Sequence, residues 1–326
     1  MLKHKDHFHG SDLEKIEQIY GIRKDEITSF SANINPLGIS PLLRRQLSEH
    51  VDVISSYPDR DYVSLRKCIA AYCGTEYENI IVGNGSSELI SLLIQVRQPK
   101  KALILGPTYS EYERSIMMEG GTALYYPLQE CDQFRLNTEH FIKNLNESID
   151  MIILCNPNNP TSTAIPQKDM RKILDACKQY DIFVMVDETY IEFVENFDEI
   201  QAVPLTSYYN NIIILRGTSK FFAAPGLRLG CAITGNKDLI DYINAHKNPW
   251  MINSLAAAIQ PRSSNAFLPQ CFFQRFKIHK RSPCRINKQC LWFHFPNQVP
   301  ADHLFIFRPV GNGNGYDVAV LYQFLQ

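Results

Sequence analysis

Lys220 closes the run Arg216-Gly217-Thr218-Ser219-Lys220, which sets an arginine and two hydroxyls just ahead of it. A lysine near a guanidinium, hydroxyls and an anion site is a candidate Schiff-base nucleophile. Four other runs carry chemistry of a compatible kind. Gly83-Asn84-Gly85-Ser86-Ser87-Glu88 opens a helix through small residues, so backbone N–H groups are exposed to an anion. Val186-Asp187-Glu188-Thr189-Tyr190 places carboxylates at the end of an apolar segment, where partial desolvation calls for a cationic partner. Cys155-Asn156-Pro157-Asn158-Asn159-Pro160-Thr161 combines fixed backbone with side-chain amides, and Pro225-Gly226-Leu227-Arg228-Leu229-Gly230 adds a second arginine. Each run alone is more often a structural turn. It is their order, nearly all at strand ends, that points to a site.

The elements that must position them can be read from hydrophobic runs. Seven short segments are expected as strands: 80–82, 102–105, 123–126, 151–155, 182–186, 212–215 and 229–233. Most are continuous apolar runs without alternation, as in strands covered on both faces. Amphipathic stretches at 87–96, 110–119, 167–179 and 237–246 separate several of them, and another spans 42–50. Strand–helix alternation predicts a mainly parallel α/β sheet, in which ligands bind at the carboxyl ends of the strands.

Composition excludes several classes. The 326 residues are 45% hydrophobic and 21% charged, with a formal net charge of -1. That argues against disorder, and no whole-chain field draws the protein to nucleic acid or to an anionic membrane. No apolar run approaches the roughly 20 residues of a membrane span. Nine cysteines without a CxxC pair, and no apolar leader, lead to the expectation of a cytoplasmic protein with reduced thiols and no metal site. The average conceals a break. Residues 1–259 hold 25 Lys+Arg against 32 Asp+Glu, whereas residues 260–326 hold 8 against 2, with 12 aromatics and no clear helix period. Such a tail reads chiefly as an out-of-frame ending of an ordinary C-terminal domain, with a lineage-specific ending as the main alternative and a basic, aromatic nucleic-acid patch as a minor one.

The order of these runs resembles that of the fold-type-I pyridoxal-phosphate (PLP) enzymes. Within that superfamily the class I/II branch of threonine-phosphate decarboxylases and histidinol-phosphate aminotransferases fits best, over about residues 8–259. His9-Gly10, the run from Phe30 to Gly38 (Phe30-Ser31-Ala32-Asn33-Ile34-Asn35-Pro36-Leu37-Gly38), and Tyr57-Pro58-Asp59 with Tyr62 favour the decarboxylase side. The resemblance implies an α/β fold: a large domain at 46–248 with a mainly parallel seven-stranded sheet flanked by helices. A small domain would come from the arm at 1–45 and the segment at 249–326. It implies PLP as cofactor, with Lys220 as Schiff-base lysine, Asp187 on the pyridinium nitrogen, Tyr190 and Asn159 on the phenolic oxygen, and Tyr109 stacked on the ring. Gly85, Ser86, Ser87, Thr218 or Ser219, and Arg228 would hold the phosphate. Tyr57 would reach the phosphate of a partner subunit, which implies a homodimer. His9 and Asn33 would bind a small phosphorylated amino-acid substrate.

The chain departs from the pattern in three places. Gly217 stands where relatives carry a phosphate-binding hydroxyl, and Ser162 replaces a turn glycine. No arginine of the tail (Arg262, Arg275, Arg281, Arg285 or Arg308) matches the one that clamps the substrate carboxylate. The expected reaction is decarboxylation of threonine phosphate in cobalamin biosynthesis. Amino transfer of the histidinol-phosphate type is the second reading, and a catalytically impaired protein of the same fold is the third.

Overall fold

The computed structural model describes residues 13–29, 32–259, 304–310 and 315–321, the last two segments and 28–29 by their backbone. The chain divides into two compact units, one of residues 1–34 with 284–326 and the other of residues 35–283.

The larger unit is built on a seven-stranded sheet. Its strands are β2 (Ile80–Gly83), β3 (Lys101–Gly106), β4 (Thr122–Pro127), β5 (Met151–Cys155), β6 (Phe183–Asp187), β7 (Ile212–Gly217) and β8 (Gly230–Ile233), in the order β2-β8-β7-β6-β5-β3-β4. All seven expected strands are present. β8 runs antiparallel to both its neighbours, β2 and β7, and the remaining pairs are parallel. β2, β5, β6, β7 and β8 are buried along their whole length, which explains their unbroken apolar runs.

Among the described residues, α1 (Leu13–Tyr20) belongs to the smaller unit, and nine helices accompany the strands of the larger one: α2 (Pro41–Glu49), α3 (Val63–Cys73), α4 (Ser86–Arg97), α5 (Glu111–Met118), α6 (Thr138–Lys143), α7 (Gln167–Gln179), α8 (Phe197–Ile200), α9 (Lys237–His246) and α10 (Ser254–Ala258). Two apolar cores follow from the two-residue period of the strands. Val184, Val186, Ile212 and Ile214 pack with Leu65 and Ile69 of α3 and with Ile173 and Leu174 of α7. Met185, Ile213 and Leu215 face the other way, onto Leu89 and Leu93 of α4, Tyr112 and Ile116 of α5, and Ile240 and Ile243 of α9.

Side-chain caps start several helices. Ser40 accepts from the Leu43 amide at 3.1 Å, Asn137 from His140 at 3.0 Å, Asn236 from Leu239 at 3.0 Å and Asn253 from Ala256 at 2.9 Å. α4 is different. Its N-cap is Gly85, at φ +85°, with no side chain to accept from the first turn.

In the smaller unit, β1 (Thr28–Ser29) pairs antiparallel with β9 (Leu304–Val310), which pairs antiparallel with β10 (Gly315–Leu321). Residues 260–303, 311–314 and 322–326, with most of the altered tail and its glycine-rich loop, lie outside the described residues. No helix among the described residues is long and apolar enough to cross a membrane.

Candidate active site

The sheet register brings three strand ends together. Cys155 on β5 is paired with Asp187 on β6, and Asp187 with Leu215 on β7. The loops that follow these strands carry Asn159, Tyr190 and Lys220.

Asp187 is buried and held by neutral donors of its own unit. Thr189 donates twice to Oδ1, from its amide at 2.9 Å and its hydroxyl at 2.5 Å. Tyr112 Oη donates to Oδ2 at 2.7 Å. Burial lowers the proton affinity of the Lys220 amine, and the charge of Asp187 pulls it partly back. Two opposite charges close enough to sense each other are therefore already set in the same half-buried space.

Glu188, the next residue, points to the opposite face. Arg216 Nε and Nη2 both donate to its Oε2, at 2.9 and 2.7 Å, and both side chains are buried. The expectation of a cationic partner at this strand end is met here, at Glu188. It also takes Arg216 out of the anion site: the guanidinium braces β7 against β6 from behind. Burial alone would weaken its hold on the proton, but the Glu188 charge more than offsets that.

The anion cradle forms where α4, β8 and the Arg228 turn meet. A Cβ on Gly230 would lie 2.6 Å from Gly85 C and Ser86 N, so only glycine lets β8 start against the α4 terminus. A Cβ on Gly85 would overlap the Arg228 guanidinium. Arg228 itself has φ +53°, and its guanidinium donates to the carbonyls of Asn84 at 3.0 Å and Pro225 at 3.2 Å. Uncapped amides and a tethered guanidinium thus converge on one point, and both favour an anion.

The flanks are tied in by residues the sequence reading passed over. Asn158 donates to the Pro107 carbonyl at 2.9 Å and accepts from Thr108 Oγ1 at 2.8 Å, which joins the Asn159 loop to the Tyr109 loop. Tyr109 shares a hydrogen bond with Ser87, and burial pushes its hydroxyl up. Its ring meets Tyr112 edge-on at 5.5 Å. Asn35 binds the neighbourhood of Lys220 firmly: its amide donates to the Lys220 carbonyl at 3.0 Å and its Nδ2 to Phe221 O at 2.9 Å. Nothing in the sequence distinguished Asn158 from its asparagine neighbours.

Other expected residues are placed as follows. Thr218 donates its hydroxyl to the Leu229 carbonyl at 3.1 Å, so its proton is directed into the fold. Ser162 has φ +58°, the left-handed conformation expected from the missing glycine. Tyr62 is buried, with its hydroxyl bonded to the backbone of Ile252, a packing role. Tyr57 is 81% exposed, with its ring 5.0 Å from that of Trp250. Asn33 belongs to the smaller unit, exposed and at φ +51°. His9 lies outside the described residues.

A parallel sheet with a partly buried lysine, a neutral-donor-held aspartate and an arginine–glycine anion cradle at its strand ends defines a class of cofactor-dependent α/β enzymes. This chain belongs to the aminotransferase class I and II family, whose model matches residues 25–273, and its cofactor is pyridoxal 5'-phosphate. The chain is 40% identical over 228 residues to a protein of Caldanaerobacter subterraneus named "Putative threonine-phosphate decarboxylase", a match that spans 70% of this chain and 61% of that protein. It is 33% identical to the threonine-phosphate decarboxylase of Salmonella typhimurium, over 76% of this chain and 68% of the relative. The crystal structure of a histidinol-phosphate aminotransferase from Clostridium acetobutylicum superposes with a TM-score of 0.68 at 30% identity, covering 86% of this chain and 82% of that one. The residues present fit the cofactor. The cradle is one that a Cβ at Gly85 would fill, and Lys220 and the aspartate meet on the same side of the sheet.

Proposed function

We propose that this chain decarboxylates L-threonine O-3-phosphate to (R)-1-aminopropan-2-yl phosphate, a step of cobalamin biosynthesis. The observation that carries this reading is the similarity to threonine-phosphate decarboxylases, over a site whose charged groups suit the same cofactor.

The residues take the roles that the family resemblance implies. The chemistry the cofactor supplies when bound is a sink for the electron pair left by departing carbon dioxide. Lys220 would be the residue that carries the cofactor, and its lowered proton affinity raises the share of neutral, nucleophilic amine. Asp187 would hold the ring nitrogen. Tyr190 and Asn159 would hold the phenolic oxygen, and Tyr109 would cover the ring face. Gly85, Ser86, Ser87 and Arg228 bind the phosphate, with Ser219 the better donor of its pair because the Thr218 proton is used elsewhere. Ser86 Oγ lies 3.7 Å from where a Gly217 side chain would begin, so it supplies the hydroxyl that Gly217 lacks.

Lys220 would be the group that returns a proton to the substrate α-carbon, and the grip on the substrate carboxylate would select loss of carbon dioxide over loss of the α-proton. His9 and Asn33 take the substrate. In a homodimer Tyr57 reaches the partner's phosphate, a role for which its exposed ring is available.

Amino transfer of the histidinol-phosphate type is the second reading, favoured by the Clostridium structure. Product analysis separates the two. Purified full-length protein is mixed with PLP and threonine phosphate, with and without a 2-oxo acid. Aminopropanol phosphate formed without the 2-oxo acid is the expected result. A product that appears only with the 2-oxo acid would replace the first reading with the second.

A further inference from the structure

Asp187 is bound from two elements at once. Thr189, just past β6, occupies Oδ1 with two donors, and Tyr112, from the first turn of α5, occupies Oδ2 with one. A carboxylate has about four acceptor positions, so three donors leave one open. They also fix the plane of the group, since neither oxygen can turn without breaking a bond. Tyr112 is fully buried, and its hydroxyl remains a protonated donor because burial pushes its ionisation well above the ordinary range. The phenol sits in a core with Ile104, Ile116, Met185 and the Cys155 thiol, which also senses the hydroxyl, and Asp187 Oδ2 accepts its hydrogen bond at 2.7 Å.

We propose that Tyr112 is a positioning residue acting through Asp187. Its hydroxyl fixes the orientation of the carboxylate and leaves a single acceptor position on Oδ2 for the ring nitrogen of the cofactor. Phenylalanine at this position would keep the packing, but Asp187 would be freer to turn and would have two open positions. The inference rests on the reading of Asp187 as the partner of the ring nitrogen, and it is independent of which substrate is used.

The test is a double-mutant cycle on cofactor affinity. PLP is titrated into the full-length apo-protein and binding is read from protein fluorescence and from the absorbance of the cofactor joined to Lys220. Tyr112→Phe is expected to weaken binding roughly ten- to hundredfold, the range for a lost hydrogen bond to a charged group. In an Asp187→Ala background the same change is expected to have less than a twofold effect. Equal losses in both backgrounds would mean that Tyr112 serves packing alone and would overturn the proposal. An Asp187→Ala variant that binds PLP as tightly as the parent would overturn the reading of Asp187 and the proposal with it. A large effect of Asp187→Ala with none from Tyr112→Phe would leave Asp187 standing and remove Tyr112. Thr189→Val supplies a second cycle should Tyr112→Phe fail to fold: it removes the hydroxyl from Oδ1 and must show the same dependence on Asp187.

Discussion

Gly230 and Ser86 approach so closely that a methyl group at Gly230 would lie 2.6 Å from the Ser86 amide nitrogen. The start of β8 therefore forms the floor under the first turn of α4, and the anion cradle has no slack. Gly230→Ala must push the Gly85–Ser86 segment away from Arg228. A ten- to hundredfold loss of PLP affinity is expected, measured by titration of the apo-protein.

Arg228 binds by geometry as well as charge. Arg228→Lys keeps the charge but gives up the fork that contacts two carbonyls and leaves a face for phosphate. Affinity for PLP should fall about tenfold or more, while affinity for pyridoxal without its phosphate should be unchanged.

The Lys220 amine is depressed by burial and partly restored by Asp187. Cofactor attachment, followed by absorbance after rapid mixing, should accelerate with pH and reach half its maximum below the 10.5 of an ordinary lysine. Removing the negative charge with Asp187→Asn takes away the raising influence, so the midpoint should move to lower pH. A midpoint that moves up would contradict the assigned pairing.

Glu192 is buried beneath the site in a cavity of about 40 Å³ shared with Tyr72, Cys73 and Arg216. Tyr72 donates to its Oε1 at 3.0 Å, and its Oε2 has no hydrogen-bond partner. Burial raises its pKa from 4.5 to about 7. The folded state thus keeps a proton that the unfolded state releases, and stability should decline as pH rises from 4.5 to 7, by on the order of 3 kcal/mol. Glu192→Gln should remove most of that decline and raise the Tm at pH 8, as thermal melts across pH would show.

The Glu188–Arg216 pair is buried on both sides. Removing one partner strands a charge, so Glu188→Gln or Arg216→Met alone should cost about 3–5 kcal/mol in denaturant unfolding. The double replacement by apolar residues should recover much of the loss.

Apolar runs gave away the sheet because its central strands are buried on both faces, and all seven strands fall within a residue or two of expectation. Lys220, Asp187 and Arg228 stood out as candidates for a related reason: a charged or flexible residue at the end of an apolar strand is costly unless used. Tyr112, Asn35 and Asn158 were not. Each acts through contacts to chain far away in sequence, and a tyrosine inside an amphipathic helix reads as core until its hydroxyl partner is seen. The two carboxylates at 187 and 188 looked alike in sequence. Only the alternation of a strand, which turns neighbours to opposite faces, assigns one to the site and the other to its support.

β8 alone runs against the rest of the sheet, and this joins two jobs that could have been separate. The chain leaves β7, passes Lys220, turns through Arg228 and re-enters at Gly230, with the neck of the loop closed by the Thr218 amide on Leu229 O at 3.1 Å. Inside it, Ala224 N binds Thr218 O at 3.1 Å and Ala223 N binds Lys220 O at 3.2 Å. The Lys220 amine and the Arg228 guanidinium are thus two marks on one closed ruler. On the proposed reading, the ruler's span would select molecules by the distance between their carbonyl and their phosphate. Insertions or deletions between Thr218 and Leu229 would change that span, and with it which cofactor analogues the protein accepts.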